Sequence, residues 1–193
     1  MALCVLAARS HEELTDCTRM SPEDLDRGCR PRYYSVVFTV QSWTLFKAAG
    51  GSTAGTREST WTRVQKINIG DFLLCYLVDV KRWVAILRVA GEPYWATEPK
   101  IWGDEPFPAR IPVTIESEVM PTAGVSARDL VEHLPRQKAA NDRHPGAWGN
   151  FVRGSPRQLP EDEARIVIEA VNMTARPRGL PPDSPPTKGR AVL

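Results

Sequence analysis

Two apolar runs, Phe72-Leu-Leu-Cys-Tyr-Leu-Val78 and Trp83-Val-Ala-Ile-Leu-Arg-Val-Ala90, are separated only by Asp79-Val-Lys-Arg82. Apolar residues at this density, interrupted by so short a segment, predict a β-hairpin, and Ile69-Gly70-Asp71 supplies the turn leading into it. Within the first run Cys75 alternates with larger residues and reads as a small core side chain. The rest of the chain is read as what packs around this hairpin.

Tyr33 to Val40 is rich in aromatic and β-branched residues and predicts a strand. Gln41 to Ala49 places Trp43, Phe46 and Ala49 at helical spacing and is stopped by Gly50-Gly51. Ser52 to Ser59 reads as a polar loop. A strand is expected over Phe107 to Met120, with Ile111, Val113 and Ile115 alternating and a proline that puts it near a sheet edge. Helices are expected at Ser126 to His133, capped by Ser126, and at Pro160 to Val171. There is no internal repeat and no alternating βαβ pattern. The expected class is α+β, around a small, strongly curved sheet or barrel.

The chain has 193 residues, enough for one domain with tails, and six Trp argue for a folded core. Residues 1–31 show helix-start signals at Ser10 and Ser21 but no sustained apolar period, so they are expected to be an appendage. From Met173 the last 21 residues hold five prolines and a basic end, a tail or linker composition. The domain is therefore expected at 32–172. Met1 to Ala8 is apolar but too short to span a bilayer and has no basic region before it, so the expectation is a cytoplasmic protein with no membrane span. Cys4, Cys17, Cys29 and Cys75 include no CxxC pair and are expected to be free thiols.

The net charge is +2, from 25 Lys plus Arg against 23 Asp plus Glu. Residues 1–31 lean acidic and 173–193 basic, which leaves the body near neutral. Such a body does not hold a nucleic acid by charge alone, because non-specific affinity comes from neutralised phosphates and released counterions. A nucleic-acid partner would need a more selective contact. Catalytic patterns are absent: His11, His133 and His144 form no metal or triad motif, and there is no GxSxG, GxGxxG or Walker loop. No metal or other cofactor is expected. Aromatic residues in irregular segments are better represented. Trp61 sits in the polar stretch Glu58 to Arg63, and Tyr94, Trp95 and Trp102 lie between the hairpin and the next strand. Such rings either cover the edge of the core or form a stacking cage for a flat base. Residues 136–157 hold Arg136, Lys138, Arg143, Arg153 and Arg157 against one acid, either a phosphate-contacting patch or a solvated loop.

Several of these segments together resemble the EVE domain family of the PUA-like superfamily, which also includes the YTH and ASCH domains. The matching elements are Tyr33-Tyr34 through Trp43, Ile69 to Tyr76, Arg82 to Val89 with Glu92-Pro-Tyr94, Trp148 to Ser155, and Gln158 to Glu163. The resemblance spans about residues 32–172. It implies a compact β-barrel flanked by helices, with a pocket for a base flipped out of its strand. It also implies an aromatic cage around that base, with hydrogen bonds to its Watson–Crick edge setting identity. By similarity Trp61 looks like a cage tryptophan, Ser59 or Thr60 could bond the base, and Trp95 or Trp102, with Tyr94 nearby, would form a second wall. Arg153 looks like a contact to the strand backbone beside Ser155, with Arg63 and Arg143 as further basic contacts. Members often carry an Asn before the first helix, where this chain has Phe38-Thr39-Val40, so Thr39 stands at a base-reading position.

EVE domains occur alone and as specificity modules fused to nucleases that restrict modified DNA. The implied function is a non-catalytic reader of DNA carrying modified cytosine, 5-methylcytosine first, with a nuclease as an expected partner. The YTH relationship allows a modified-RNA reader instead. An ASCH-like nucleotide-processing enzyme is a third reading, with only Asp79, Asp104 and Glu105 as loop candidates for its acid or base.

Overall fold

The hairpin forms as its sequence requires: Phe72–Leu77 runs antiparallel to Arg82–Val89, and Lys81 takes a φ of 55° to close the turn. A computed structural model describes residues 30–103, 106–144 and 154–175. The chain divides into two units, Met1–Pro31 and Arg32–Leu193, and the elements below belong to the second. In chain order they are β1 (Tyr33–Phe38), α1 (Val40–Ala48), β2 (Thr53–Thr56), a 3-10 turn (Glu58–Thr60), α2 (Trp61–Val64) and the hairpin strands β3 (Phe72–Leu77) and β4 (Arg82–Val89). There follow β5 (Tyr94–Trp95), β6 (Ala109–Glu118), β7 (Val125–Ser126), α3 (Ala127–Leu130), a 3-10 turn (Val131–His133), α4 (Pro135–Arg143), β8 (Arg157–Leu159) and α5 (Glu161–Ala175).

The strands form one mixed sheet in the order β2-β6-β4-β3-β1-β8, with β5 added to β6 and β7 to β4; β1 and β3 pair in parallel, and the other pairs among the described residues are antiparallel. The sheet curls into a half-barrel flanked by helices, an α+β architecture. Both faces of the hairpin are covered, which explains why its strands read as continuous apolar runs rather than alternating ones. Leu73, Cys75 and Leu77 enter one core with Trp43 and Phe46 of α1, while Leu74 and Tyr76 enter another with Ala164, Val167 and Val171 of α5. A bulge at Val84 lets Val84 and Ala85 both enter the first core, which simple alternation would forbid. Ahead of β3, Gly70 has a φ of 91°, and the buried Asp71 carboxylate accepts from Arg32 N at 2.8 Å and Asn68 N at 2.9 Å.

Four expectations need correction. Ser52 to Ser59 is not all loop, because Thr53–Thr56 is a strand on β6; a run so short and poor in apolar residues is identified only by its distant partner. β6 is not an edge strand. Its Pro112 stands where the strand passes from β2 to β4: Val113 N donates to Ser52 O, and the Pro112 carbonyl accepts from Ala90 N, both at 2.9 Å. The first strand ends at Phe38 rather than Val40, because Thr39 caps α1. The basic stretch beginning at Arg136 starts as helix α4, whose N-terminus is satisfied by another element: Glu163 of α5 accepts from Arg136 N at 2.7 Å. The Ser126 cap is present, accepting from Asp129 N at 3.4 Å. Among the described residues no helix is long and apolar enough to cross a membrane.

Candidate functional site

A cleft of about 650 Å³ opens where the N-terminus of α1, the end of β2 and the 3-10 turn meet the segment carrying Trp102 and the residues before β8. Its apolar lining includes Phe38, Leu45, Trp102 and Phe107, and its polar lining includes Thr39, Ser42, Thr56, Ser59, Thr60 and Ser155. Two guanidinium groups, Arg57 and Arg63, line it, and among its described lining residues there is no carboxylate. The volume falls in the range of small-molecule pockets.

The apolar wall depends on one missing side chain. Trp102 is 5% exposed, packs edge-on to Phe107 with ring centroids 5.4 Å apart, and lies over the bare Cα of Gly55 in β2. Behind it stands Arg110, 3% exposed, whose guanidinium carbon is 6.0 Å from the centre of the Trp102 ring. Arg110 donates to the carbonyls of Glu98 at 3.1 Å and Pro99 at 2.7 Å, tying the segment before Trp102 to β6.

The hydroxyls differ in what they have left to offer a ligand. Thr39 Oγ1 accepts from Ser42 N at 3.0 Å while Ser42 Oγ accepts from Thr39 N at 2.9 Å, a capping box that uses both groups for helix α1. Thr60 Oγ1 donates to Arg57 O at 2.6 Å and lies 2.7 Å from Thr56 Oγ1, so both are occupied inside the turn. Ser155 Oγ accepts from Val37 N at 3.0 Å, two residue pairs beyond where the β1–β8 ladder stops; among the described residues its own proton has no acceptor, and Ser155 lines the cleft. Ser59 is exposed at the rim. Arg63 donates to the Gly154 carbonyl, which fixes the segment entering β8 against α2.

Of the residues singled out from sequence, the cleft gathers Thr39, Ser59, Thr60, Arg63, Trp102 and Ser155. Trp61, Tyr94 and Trp95 do not line it; Trp61 and Trp95 instead pair with each other, centroids 5.6 Å apart. Arg143 lies on α4, its Nε donating to Ala139 O at 3.0 Å, and is not in the cleft lining. Arg153, Asp104, Glu105 and Trp148 lie outside the described residues. Sequence reasoning missed Phe107, Arg57 and Gly55. For Gly55 a signal existed, since a glycine inside a strand often marks close approach of another group. Asp79 accepts from Val40 N at 2.8 Å and supports the start of α1. Among the described residues no group of three or more potential metal ligands occurs. Burial raises the Cys75 thiol well above its ordinary range and pushes the Tyr76 hydroxyl up to about 12.

No family model and no curated protein matches the chain. Solved structures do. A Mmi1 YTH domain is similar with a TM-score of 0.54 at 12% identity, covering 75% of this chain and 76% of that one. A structure described as YTH domain-containing protein mmi1 and RNA complex has a TM-score of 0.52 at 13% identity, covering 74% and 82%. A Rhodopseudomonas palustris protein solved by NMR has a TM-score of 0.51 at 17% identity, covering 74% and 94%. At these identities the likeness is one of fold.

Proposed function

We propose that the chain is a non-catalytic reader of modified nucleic acid, taking one extruded base into the cleft against Trp102. The observation that carries this is the pairing of an aromatic wall, Trp102 and Phe107, with a rim of hydroxyls and two arginines on one cleft. A flat, partly apolar ligand with hydrogen-bonding edges and an attached phosphate suits that combination. The energies are compatible: unstacking a base costs a few kcal/mol, and stacking on an aromatic ring returns roughly 1–3 kcal/mol. Arg57 and Arg63 add a phosphate contribution, small for a protein of net charge +2, so unmodified strands bind weakly. Ser155 is the best-placed donor to the base, its acceptor side being held by Val37 N.

DNA carrying modified cytosine is the first reading, through the EVE-like motifs. Modified RNA is the second, favoured by the fold likeness to a structure solved with RNA. A binding panel of DNA and RNA strands, each with and without a methylated base, tests both. A preference of tenfold or more for one modified strand, lost in Trp102→Ala, is the expected result. Equal binding of modified and unmodified strands overturns the reader function.

A further inference from the structure

We infer that Trp95, backed by Trp61, is a second stacking site that holds the nucleotide next to the one in the cleft; this rests on the reader function proposed above. The core tryptophans Trp43 and Trp83 are 4% and 2% exposed, and Trp102, whose remaining surface lines the cleft, is 5% exposed. Trp95 is 44% exposed. It occupies a strand of two residues whose sheet partner among the described residues is β6, and its ring meets Trp61 at an interplanar angle of 77°. Trp61 in turn packs partly against the first core. The pair therefore fixes the orientation of a large ring that the fold leaves in solvent, the property expected of a preorganised stacking surface.

Position links this ring to the cleft. Ala109 of β6 is the register partner of both Trp95 on β5 and Thr56 on β2, so the three residues form one row across the sheet. Thr56 lines the cleft. With adjacent strands about 4.8 Å apart, Trp95 lies about 10 Å along the row from Thr56, within reach of a nucleotide adjoining the extruded one. The chain itself makes the same link, since Trp61 follows directly on Thr60, and both Thr60 and Arg63 line the cleft. The exposed Arg57 and Arg63 make the neighbourhood of the rings suited to a phosphate-linked strand rather than to an apolar peptide. Stacking on Trp95 requires a flanking base free to leave its neighbour, so the favoured substrate is single-stranded, or melted beside the modified base.

The test uses the full chain and labelled single strands with a central modified base, 5-methylcytosine in DNA and a methylated adenine in RNA, titrated by fluorescence anisotropy. Trp95→Ala weakens binding of the preferred strand about 5- to 100-fold, and Trp95→Phe keeps most of the affinity. Replacing the flanking base by an abasic residue on the correct side weakens wild-type binding by a similar factor and leaves Trp95→Ala unaffected. If Trp95→Ala binds like wild type while Trp102→Ala does not, the second site is wrong and the reader function stands. Unchanged binding with an altered oligomeric state assigns the patch to a second copy and also overturns it. If an abasic residue at the central position costs nothing, or no strand binds, the reader function fails and this inference with it. Should the alanine variant not fold, the flanking abasic strand keeps the test decisive on the wild-type protein: an abasic residue on either side of the modified base that costs no affinity overturns the second site.

Discussion

Trp102 occupies the space that any side chain on Gly55 would need: a Cβ placed on Gly55 would come within 2.2 Å of Cη2 of the indole. Glycine in the middle of β2 is therefore a condition for the aromatic wall of the cleft. Gly55→Ala must push the ring out or distort β2, and overpacking of this kind costs about 1–3 kcal/mol. The expected result is a lowered urea midpoint, altered tryptophan fluorescence and a loss of strand binding greater than the loss of stability accounts for.

Arg110 positions that ring, its partners among the described residues being two carbonyls and no carboxylate. Arg110→Met keeps much of the stem volume but removes the bonds to the Glu98 and Pro99 carbonyls. Loss of two charge-assisted bonds, offset by relief of a buried cation, leaves a net cost of about 1–3 kcal/mol. Faster amide exchange across residues 96–103, with the hairpin strands unchanged, is the signature of this role.

Glu163 caps α4 from across a chain separation that no local capping rule covers. Glu163→Ala removes the acceptor for Arg136 N, and a lost cap costs about 0.5–2 kcal/mol. Glu163→Gln keeps an acceptor oxygen and should recover part of it. Hydrogen exchange in Pro135–Arg143 reads the difference, the alanine variant exchanging fastest.

Alkaline stability follows from burial of the Cys75 thiol and the Tyr76 hydroxyl. Both are held neutral in the fold, with values raised from 9.0 for the thiol and from 10.0 to about 12 for Tyr76. The unfolded chain then releases these protons at lower pH than the folded one, so their contribution is intact below pH 9 and is lost as pH rises. Tyr76 accounts for on the order of 2 kcal/mol between pH 10 and pH 12. Urea melts at pH 8, 10 and 11 should show falling stability, with a shallower fall in Tyr76→Phe.

Local chemistry made much of the architecture readable. The hairpin needs only its two runs and the turn between them, α1 its helical spacing and Gly50-Gly51, and α3 its Ser126 cap. Strand β2 and helix α4 escaped because each is stabilised by residues far along the chain, β6 in one case and Glu163 in the other. The same division runs through the site. Composition and the loop aromatics pointed to rings as the means of recognition, but they could not say which ring goes where. That was decided by the register of β2, β6 and β5: it sets Trp102 over Gly55 inside the cleft and leaves Trp95 exposed against Trp61 outside it. An element's type is encoded by neighbours a few residues away, whereas a side chain's destination depends on how strands distant in sequence are aligned.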